Sequence, residues 1–301
     1  MIEGARIAVL GGDEREHHIA ELLTVDGALV TTYASSADDQ PRTYQVASSA
    51  EEAVRGVQWL VCPSPGLETG DIVFSPGHAR PIALDAELLS HADLARGGLI
   101  LGRSTESLNR LAAELGFEVY EMKADSALAV ANATSMAEAA LALLIESTNR
   151  LLREHVFVVI GFGNTGMAIT QCLLAMRCDV IVAARSKRDR ERARQLGAHP
   201  VAFEDRCEHF RDADIVINTV PDPSAVPNSV GPEDTHATFF DIASPPGGMD
   251  HQTLLGQGLD VSWTRALAGM RAPLTTAEHQ YSYVTTVVKA QNERLSRTET
   301  T

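Results

Sequence analysis

Residues 156–175 read VFVVIGFGNTGMAITQCLLA, and the fold follows from how this stretch is read. Val156–Ile160 is an unbroken run of strand formers, as a strand buried on both faces of a parallel sheet requires. Gly161, Gly163 and Gly166 follow at G-x-G-x-x-G spacing, and a helical run follows them. In that context the three glycines have separate tasks: a tight turn, a close backbone approach to a pyrophosphate, and room for the helix to pack on the strand. The helix N-terminus then offers free N–H groups to the anion. Gly161, Phe162, Gly163, Asn164, Thr165 and Gly166 are therefore the candidate phosphate-binding residues.

The next strand, DVIVAA (179–184), bears on the choice of dinucleotide. An NAD site places an acidic residue there to take hydrogen bonds from the ribose hydroxyls. This strand ends instead in Arg185, Ser186, Lys187 and Arg188. A guanidinium pairs with a 2′-phosphate, which a carboxylate would repel, and Ser186 is a further donor. These four are candidate contacts for NADP(H), the alternative being a solvated basic helix start. INTVPDP (217–223) brings Thr219, Val220 and Pro221 to another carboxyl edge, and DIASPPGGMD (241–250) brings Ala243 and Ser244. Asp241 sits one residue inside that strand, as a structural group or one that orients a cofactor contact.

Strand and helix alternate through most of the chain, which signals mostly parallel, doubly wound sheets. Before residue 134 the expected order is strand 6–10, helix 13–24 capped by Asp13, strand 28–34, a polar loop, helix 48–56, strand 57–63, strand 97–102, helix 104–116 capped by Ser104, and strand 117–122. A long helix from about 134 to 150 leads into the second series, and a helix from about 276 to 295 closes the chain. The domains expected are 1–133, a linking helix 134–152, and a nucleotide-binding domain 153–275, with the final helix packing back on the first. The tail RLSRTETT is expected to fray.

With 301 residues and a net charge of −15, the chain lacks the basic footprint that nucleic-acid binding needs. Its four cysteines, Cys62, Cys172, Cys178 and Cys207, form no C-x-x-C pair, so reduced, mostly buried thiols and no metal site are expected. The apolar stretch 126–147 contains Asn132 and Glu138 and is expected to be a buried helix, not a membrane span. A cytoplasmic homo-oligomer is expected.

The order of parts resembles the family formed by the A subunit of dipicolinate synthase. The likeness rests on IAVLGGDER, VFVVIGFGNTGMAI, VAARS, DADIVINTVP and DIASPPGGMD, which span most of the chain. The resemblance implies a flavodoxin-like first domain, a Rossmann second domain and a long helix between them. It also implies NADP-linked oxidation of a dihydrodipicolinate precursor to dipicolinate, with a flavoprotein-like B subunit, during sporulation. Such a substrate is a dianion. Candidates for holding it are Asp13 and Arg15 in GGDER, Ser64 with Thr69 in the loop 63–71, Arg103 and Ser104 in LGRSTE, and Asn132. No general base is identified.

Several positions depart from the family pattern. Relatives place Pro-Thr ahead of the linking-helix glutamate, where this chain has Ser135 and Met136 before Glu138; TRALAGM keeps only Gly269 of a Pro-Gly-Leu-Pro-Gly turn. Pro245 stands where relatives carry arginine, and Leu274 where they carry lysine. Losing a charged hydrogen-bond partner costs about 1.5–3 kcal/mol of binding. Arg271 is a candidate replacement. Two alternatives stay open: a D-2-hydroxyacid-type dehydrogenase, which needs a histidine paired with an acid, and a non-catalytic NADP-binding subunit or sensor. His251 and His279 are expected on the surface.

Overall fold

The computed structural model describes residues 2–35, 43–76, 78–264 and 267–298. Part of the polar loop expected after the second strand, residues 265–266 of TRALAGM and the last three residues of the tail lie outside them. The chain divides into two compact units, Met1–Ala131 with Ala272–Thr301, and Asn132–Arg271. Both are α/β.

The first unit opens with β1 (Arg6–Leu10), α1 (Glu14–Val25), β2 (Leu29–Tyr33), the short β3 (Gln45–Val46), α2 (Ala50–Val54) and β4 (Trp59–Val61). A small antiparallel hairpin, β5 (Leu67–Glu68) and β6 (Ile72–Val73), and α3 (Ala86–Leu89) come next. Then follow β7 (Gly98–Leu101), α4 (Glu106–Leu115) and β8 (Val119–Glu121). The main sheet is parallel with order β3-β2-β1-β4-β7-β8. Setting aside the added edge β3, this is the flavodoxin order, whose switch point lies between β1 and β4. Ile7, Val9, Ile19, Leu23 and Trp59 build a core on one face, joined by Val284 and Val288 from the last helix. Leu10, Leu60, Leu99, Leu101 and Leu108 build one on the other.

Helix α5 (Ser126–Ser147) begins eight residues before the expected start. Asp125 accepts a 2.7 Å bond from the Leu128 N–H, and Ala127, Leu128 and Ala129 are good helix formers. Asn132 therefore lies inside the helix, not ahead of it. The helix is long and apolar enough to cross a membrane by length and composition, yet Ala137, Ala139, Ala140 and Leu144 belong to the second unit's core.

The second unit runs β9 (Val156–Ile160), α6 (Asn164–Ala175), β10 (Asp179–Ala184), α7 (Lys187–Leu196), β11 (His199–Ala202), β12 (Ile215–Asn218), β13 (Thr238–Asp241), α8 (His251–Gly256), β14 (Asp260–Trp263) and α9 (Leu267–Arg271). Its parallel sheet has the order β11-β10-β9-β12-β13-β14. This is the dinucleotide-binding order, with its switch point between β9 and β12. The last helix, α10 (Pro273–Thr298), begins on a proline, which is tolerated at a first helical position. It packs along α1, and it continues through residues expected to fray. All four cysteines are free thiols; Cys62 and Cys178 are buried, Cys172 and Cys207 only partly.

Candidate functional site

The turn after β9 distinguishes its three glycines by what surrounds them. Gly161 has φ 98°, and a Cβ there would lie 2.5 Å from Thr219 Oγ1. One at Gly166 would lie 2.2 Å from the Gly161 carbonyl oxygen. Protein packing requires both. Gly163 is different: its φ of −73° and ψ of −167° suit any residue, and a Cβ would have no described protein atom within 4 Å. Packing does not fill that space, and Gly163 is the N-cap of α6 with no side-chain cap bond. Uncapped N–H groups beside an open surface form a cradle that fits a pyrophosphate. Asn164 is exposed and Thr165 half-buried at its edge, whereas the Phe162 side chain belongs to the core.

At the end of β10, Arg185 to Arg188 are all exposed. Arg185 Nη2 donates to Asp222 Oδ2 at 2.7 Å, and its guanidinium lies 4.6 Å from the centroid of Phe203. Hydrogen bonds from Ser224 first, and then Arg185, hold the Asp222 carboxyl below the usual range. The Ser186 hydroxyl, expected as a ligand donor, donates to Asp189 Oδ2 and accepts from the Asp189 N–H as the cap of α7. Buried Arg206 donates to the carbonyls of Phe203, Ser224 and Ala225, which anchors the loop that carries Asp222.

The loops after β12 and β13 are tied together by Asp241, which is fully buried. Its Oδ1 accepts from Asn218 Nδ2 at 2.8 Å and from the Ala243 N–H at 3.1 Å. Its Oδ2 takes bonds from the Gly248 N–H at 2.7 Å and His251 Nε2 at 2.8 Å. Asn218 also bonds both backbone groups of Val220, and Thr219 Oγ1 donates to the Ile160 carbonyl. The structure thus brings Thr219, Val220, Pro221, Ala243 and Ser244 to neighbouring strand ends beside the glycine turn. His251 is not the surface residue expected: it is stacked on Trp263 at 4.7 Å between centroids, 4° between planes, and held by Asp241. Sequence reasoning gave no role to Asn218, although it lies within INTVPDP, and placed His251 on the surface, because their shared partner Asp241 reaches them only once the strands have paired.

In the first unit the loops after β1 and β4 meet at the switch point. Asp13 caps α1 and grips Arg15 with both oxygens, at 2.8 Å to Nε and 2.7 Å to Nη2. Arg15 Nη1 donates to Ser64 Oγ at 3.0 Å, and Gln280 Nε2 donates to the same oxygen at 3.1 Å. Arg15 is buried and largely committed to these partners. Thr69 is exposed on the β5–β6 hairpin.

Glu16, which sequence reasoning passed over, closes the capping box by accepting from the Asp13 N–H at 2.9 Å. Its other carboxylate oxygen is buried without a partner. Burial pushes its pKa up to about 7, against the pull of Arg15. A carboxyl raised from an unfolded value near 4.5 stabilises the fold fully below that value, and the contribution is lost as pH rises through about 7. Glu16→Gln, which keeps the capping bond, is expected to be more stable than wild type at pH 8 by roughly 2–3 kcal/mol, with little difference at pH 4. Urea titrations at the two pH values check this; equal differences would contradict it.

The other first-unit candidates lie near the ends of β7 and β8. Ser104 does not cap α4. Both its N–H and its hydroxyl bond Glu121 Oε1, and Thr105 accepts the Leu108 N–H in its place. Arg103 is exposed. Near it lies Lys123, a cation that sequence reasoning missed; its backbone N–H donates to the Gly102 carbonyl at 3.0 Å, and its ammonium to the Pro65 carbonyl at 3.4 Å. The residue is exposed, but desolvation of its ammonium, and then Arg103, lower its pKa. In the second unit, the Asn132 side-chain oxygen is buried without a partner. Arg271 is paired with Glu146, so it does not stand as an uncommitted cation. His279 is half-buried beside a cavity of about 290 Å³, lined also by Asp125, Ser282 and Tyr283.

Comparison with known proteins agrees with this geometry. Residues 6–123 match the family described as the N-terminal domain of the dipicolinate synthase A subunit. Residues 128–233 match the D-isomer specific 2-hydroxyacid dehydrogenase NAD binding domain. The second unit therefore carries a nicotinamide-dinucleotide domain of dehydrogenase type. The dipicolinate synthase A subunit of Bacillus subtilis is 27% identical over 282 residues, covering 92% of this chain and 94% of that protein. Among solved structures, the dipicolinate synthase A subunit of Bacillus halodurans superposes with a TM-score of 0.79 at 21% identity, covering 96% and 99% of the two chains. The Bacillus subtilis protein gives 0.77 at 24% identity, covering 98% and 99%. A transhydrogenase from Sinorhizobium meliloti gives 0.61 at 14% identity, covering 93% and 94%. These structural likenesses speak to the fold.

Proposed function

We propose that this chain, as a divergent member of the dipicolinate synthase A-subunit family, carries out NADP-linked oxidation of the dihydrodipicolinate precursor to dipicolinate. The partner proposed is a flavoprotein-like B subunit, and the setting is the cytoplasm of a sporulating cell. The observation that carries the reading is the open cradle at Gly163, followed at the end of β10 by Arg185 where an NAD site would present a carboxylate.

A bound nicotinamide supplies the carbon that accepts a hydride, and the aromaticity gained by the substrate ring favours the transfer. The protein's own part is orientation and electrostatics. The first turn of α6 would hold the pyrophosphate with backbone N–H groups, and Arg185, which lies over Phe203 and pairs with Asp222, would be the group to meet a 2′-phosphate. The Asp241 network keeps the two loops beside the nicotinamide in one conformation. Arg103 and Lys123 are the proposed grips for a substrate carboxylate, replacing the cations absent at Pro245 and Leu274. Asp13, Arg15, Ser64 and Ser104 support that face.

Cofactor choice is open to direct test. The wild type is expected to bind NADPH at least about tenfold more tightly than NADH. Arg185→Ala should lose about 10- to 100-fold in NADPH affinity and leave NADH binding little changed, because only the 2′-phosphate contact is removed. Fluorescence titration with both cofactors checks this; a wild-type preference for NADH would overturn the assignment of Arg185.

One observation favours a second reading. A histidine paired with an acid is the general acid/base of hydroxyacid oxidation, and His251 with Asp241 supplies such a pair near the nicotinamide-side loops. Against it, Pro245 occupies the position from which an arginine would grip the substrate carboxylate. Turnover of simple 2-hydroxy acids would favour this alternative.

A further inference from the structure

A cluster on α1, away from the dinucleotide cradle, has the chemistry of a metal centre. His17, His18 and Glu21 present ligand atoms that all lie within 4.8 Å of one another. Glu21 follows His18 by three residues and His17 by four, the two spacings that make neighbours on a helix surface. Its carboxylate faces both imidazoles, with Oε1 3.6 Å from His17 Nε2 and Oε2 3.4 Å from His18 Nδ1. Ligand atoms about 2.0–2.1 Å from a tetrahedral zinc ion stand roughly 3.3–3.4 Å apart. Each imidazole stands near that spacing from one Glu21 oxygen, and the three ligand atoms lie within 4.8 Å of one another, so side-chain adjustments that draw them together on one carboxylate oxygen would admit an ion.

The ring nitrogens that face away from Glu21 give an independent reason. Metal-bound histidines characteristically hold their second nitrogen against an outer hydrogen-bond partner, which sets the tautomer and the ring orientation. Here His17 Nδ1 bonds the Tyr44 hydroxyl, and His18 Nε2 lies 3.9 Å from Glu14 Oε1. Each imidazole thus turns one nitrogen toward the shared carboxylate; the second nitrogen of His17 is hydrogen-bonded to Tyr44, while that of His18 faces Glu14 at ion-pair distance. A plain surface ion pair would need only one histidine. The cluster also has both an anchored and an accessible side: the His17 side chain is 7% exposed, that of His18 19%, and that of Glu21 36%.

We infer that His17 Nε2, His18 Nδ1 and the Glu21 carboxylate form a binding site for one divalent ion of the zinc type. Two imidazoles and a carboxylate suit zinc, cobalt or nickel rather than calcium or magnesium, which take oxygen ligands. The fourth position opens to solvent, where water completes the coordination. Because Tyr44 follows β2 and directly precedes β3, the ion would brace α1 to the edge of the first unit's sheet through His17.

The test uses the full chain without an affinity tag, stripped with a chelator and titrated with cobalt and then zinc chloride. One equivalent of cobalt is expected to produce the visible absorption of a tetrahedral nitrogen–oxygen site, and one equivalent of zinc to displace it. Zinc should also raise the melting temperature, since an ion that binds only the folded state stabilises it. His18→Ala and Glu21→Gln each remove a ligand, and each is expected to weaken zinc binding by about 100-fold or more while NADPH affinity stays unchanged. Tyr44→Phe, which removes only the outer partner, should weaken it by about tenfold. Absence of a stoichiometric site in the wild type would overturn the inference. So would wild-type zinc affinity in both His18→Ala and Glu21→Gln.

Discussion

Gly163→Asp is expected to leave the fold at least as stable as wild type while weakening dinucleotide binding by about 100-fold or more. The backbone at Gly163 is extended and allowed for any residue, and a Cβ meets no described protein atom. The position is the N-cap of α6, and aspartate is among the best N-caps, gaining a few tenths of a kcal/mol or more over glycine. The same carboxylate would consume N–H groups needed by the pyrophosphate and would repel it, and loss of charged hydrogen bonds is worth about 1.5–3 kcal/mol each. Stability and binding therefore move apart, which is rare for a glycine substitution. Gly166→Ala provides the contrast: its Cβ would stand 2.2 Å from a backbone oxygen, so stability should fall along with binding. Thermal melts and NADPH titrations of the two variants are the measurement. A Gly163→Asp protein that binds NADPH normally would show that the cradle is not a phosphate site.

Asp241→Ala carries the largest expected loss of stability. The fully buried carboxylate takes bonds from Asn218, the backbone of Ala243 and Gly248, and His251, and truncation leaves these donors without it. A buried donor without a partner costs about 1–3 kcal/mol, so the combined loss is expected to reach about 4 kcal/mol or more, in the range reserved for broken buried networks. For a unit of this size that corresponds to a fall of roughly 10 °C or more in the second unit's melting temperature. An added Cβ at Gly247 would stand 2.9 Å from Asp241 Oδ2 and one at Gly248 1.8 Å from Asn218 Nδ2, so only glycine lets the turn pass this close to the network. A shift of only a degree or two would mean that the loops after β12 and β13 are held by something else.

The glycine turn could be read because backbone geometry near a phosphate restricts residue type at fixed spacing, and β9 before it is an unbroken apolar run. The parallel, doubly wound character of both sheets was legible from strand–helix alternation, whereas the flavodoxin-like and Rossmann arrangements were implied by the family resemblance. The Asp241 network could not be read, because Asn218, Asp241, Gly248 and His251 meet only after β12 and β13 pair and the following turn folds back. Helix ends show a similar limit. Ser104 and Thr105 are equally good caps by composition, and the Glu121 carboxylate, from a different strand, takes Ser104 and leaves the cap to Thr105. Arg271 looks available in sequence because Glu146, its partner, is 125 residues away. Lys123 was missed because the β8 end carries no motif; its proximity to Arg103 depends on β7 and β8 being neighbours.

The most direct test of the proposed function is turnover. The purified chain and NADP⁺ are mixed with freshly generated dihydrodipicolinate precursor, with and without the flavoprotein-like B subunit, and the absorbances of NADPH and of dipicolinate are followed together. Equal amounts of the two products, formed faster with the B subunit, are the predicted result. Tight NADPH binding with no turnover in either mixture would contradict the account and identify the chain as a nucleotide-binding subunit without its own chemistry.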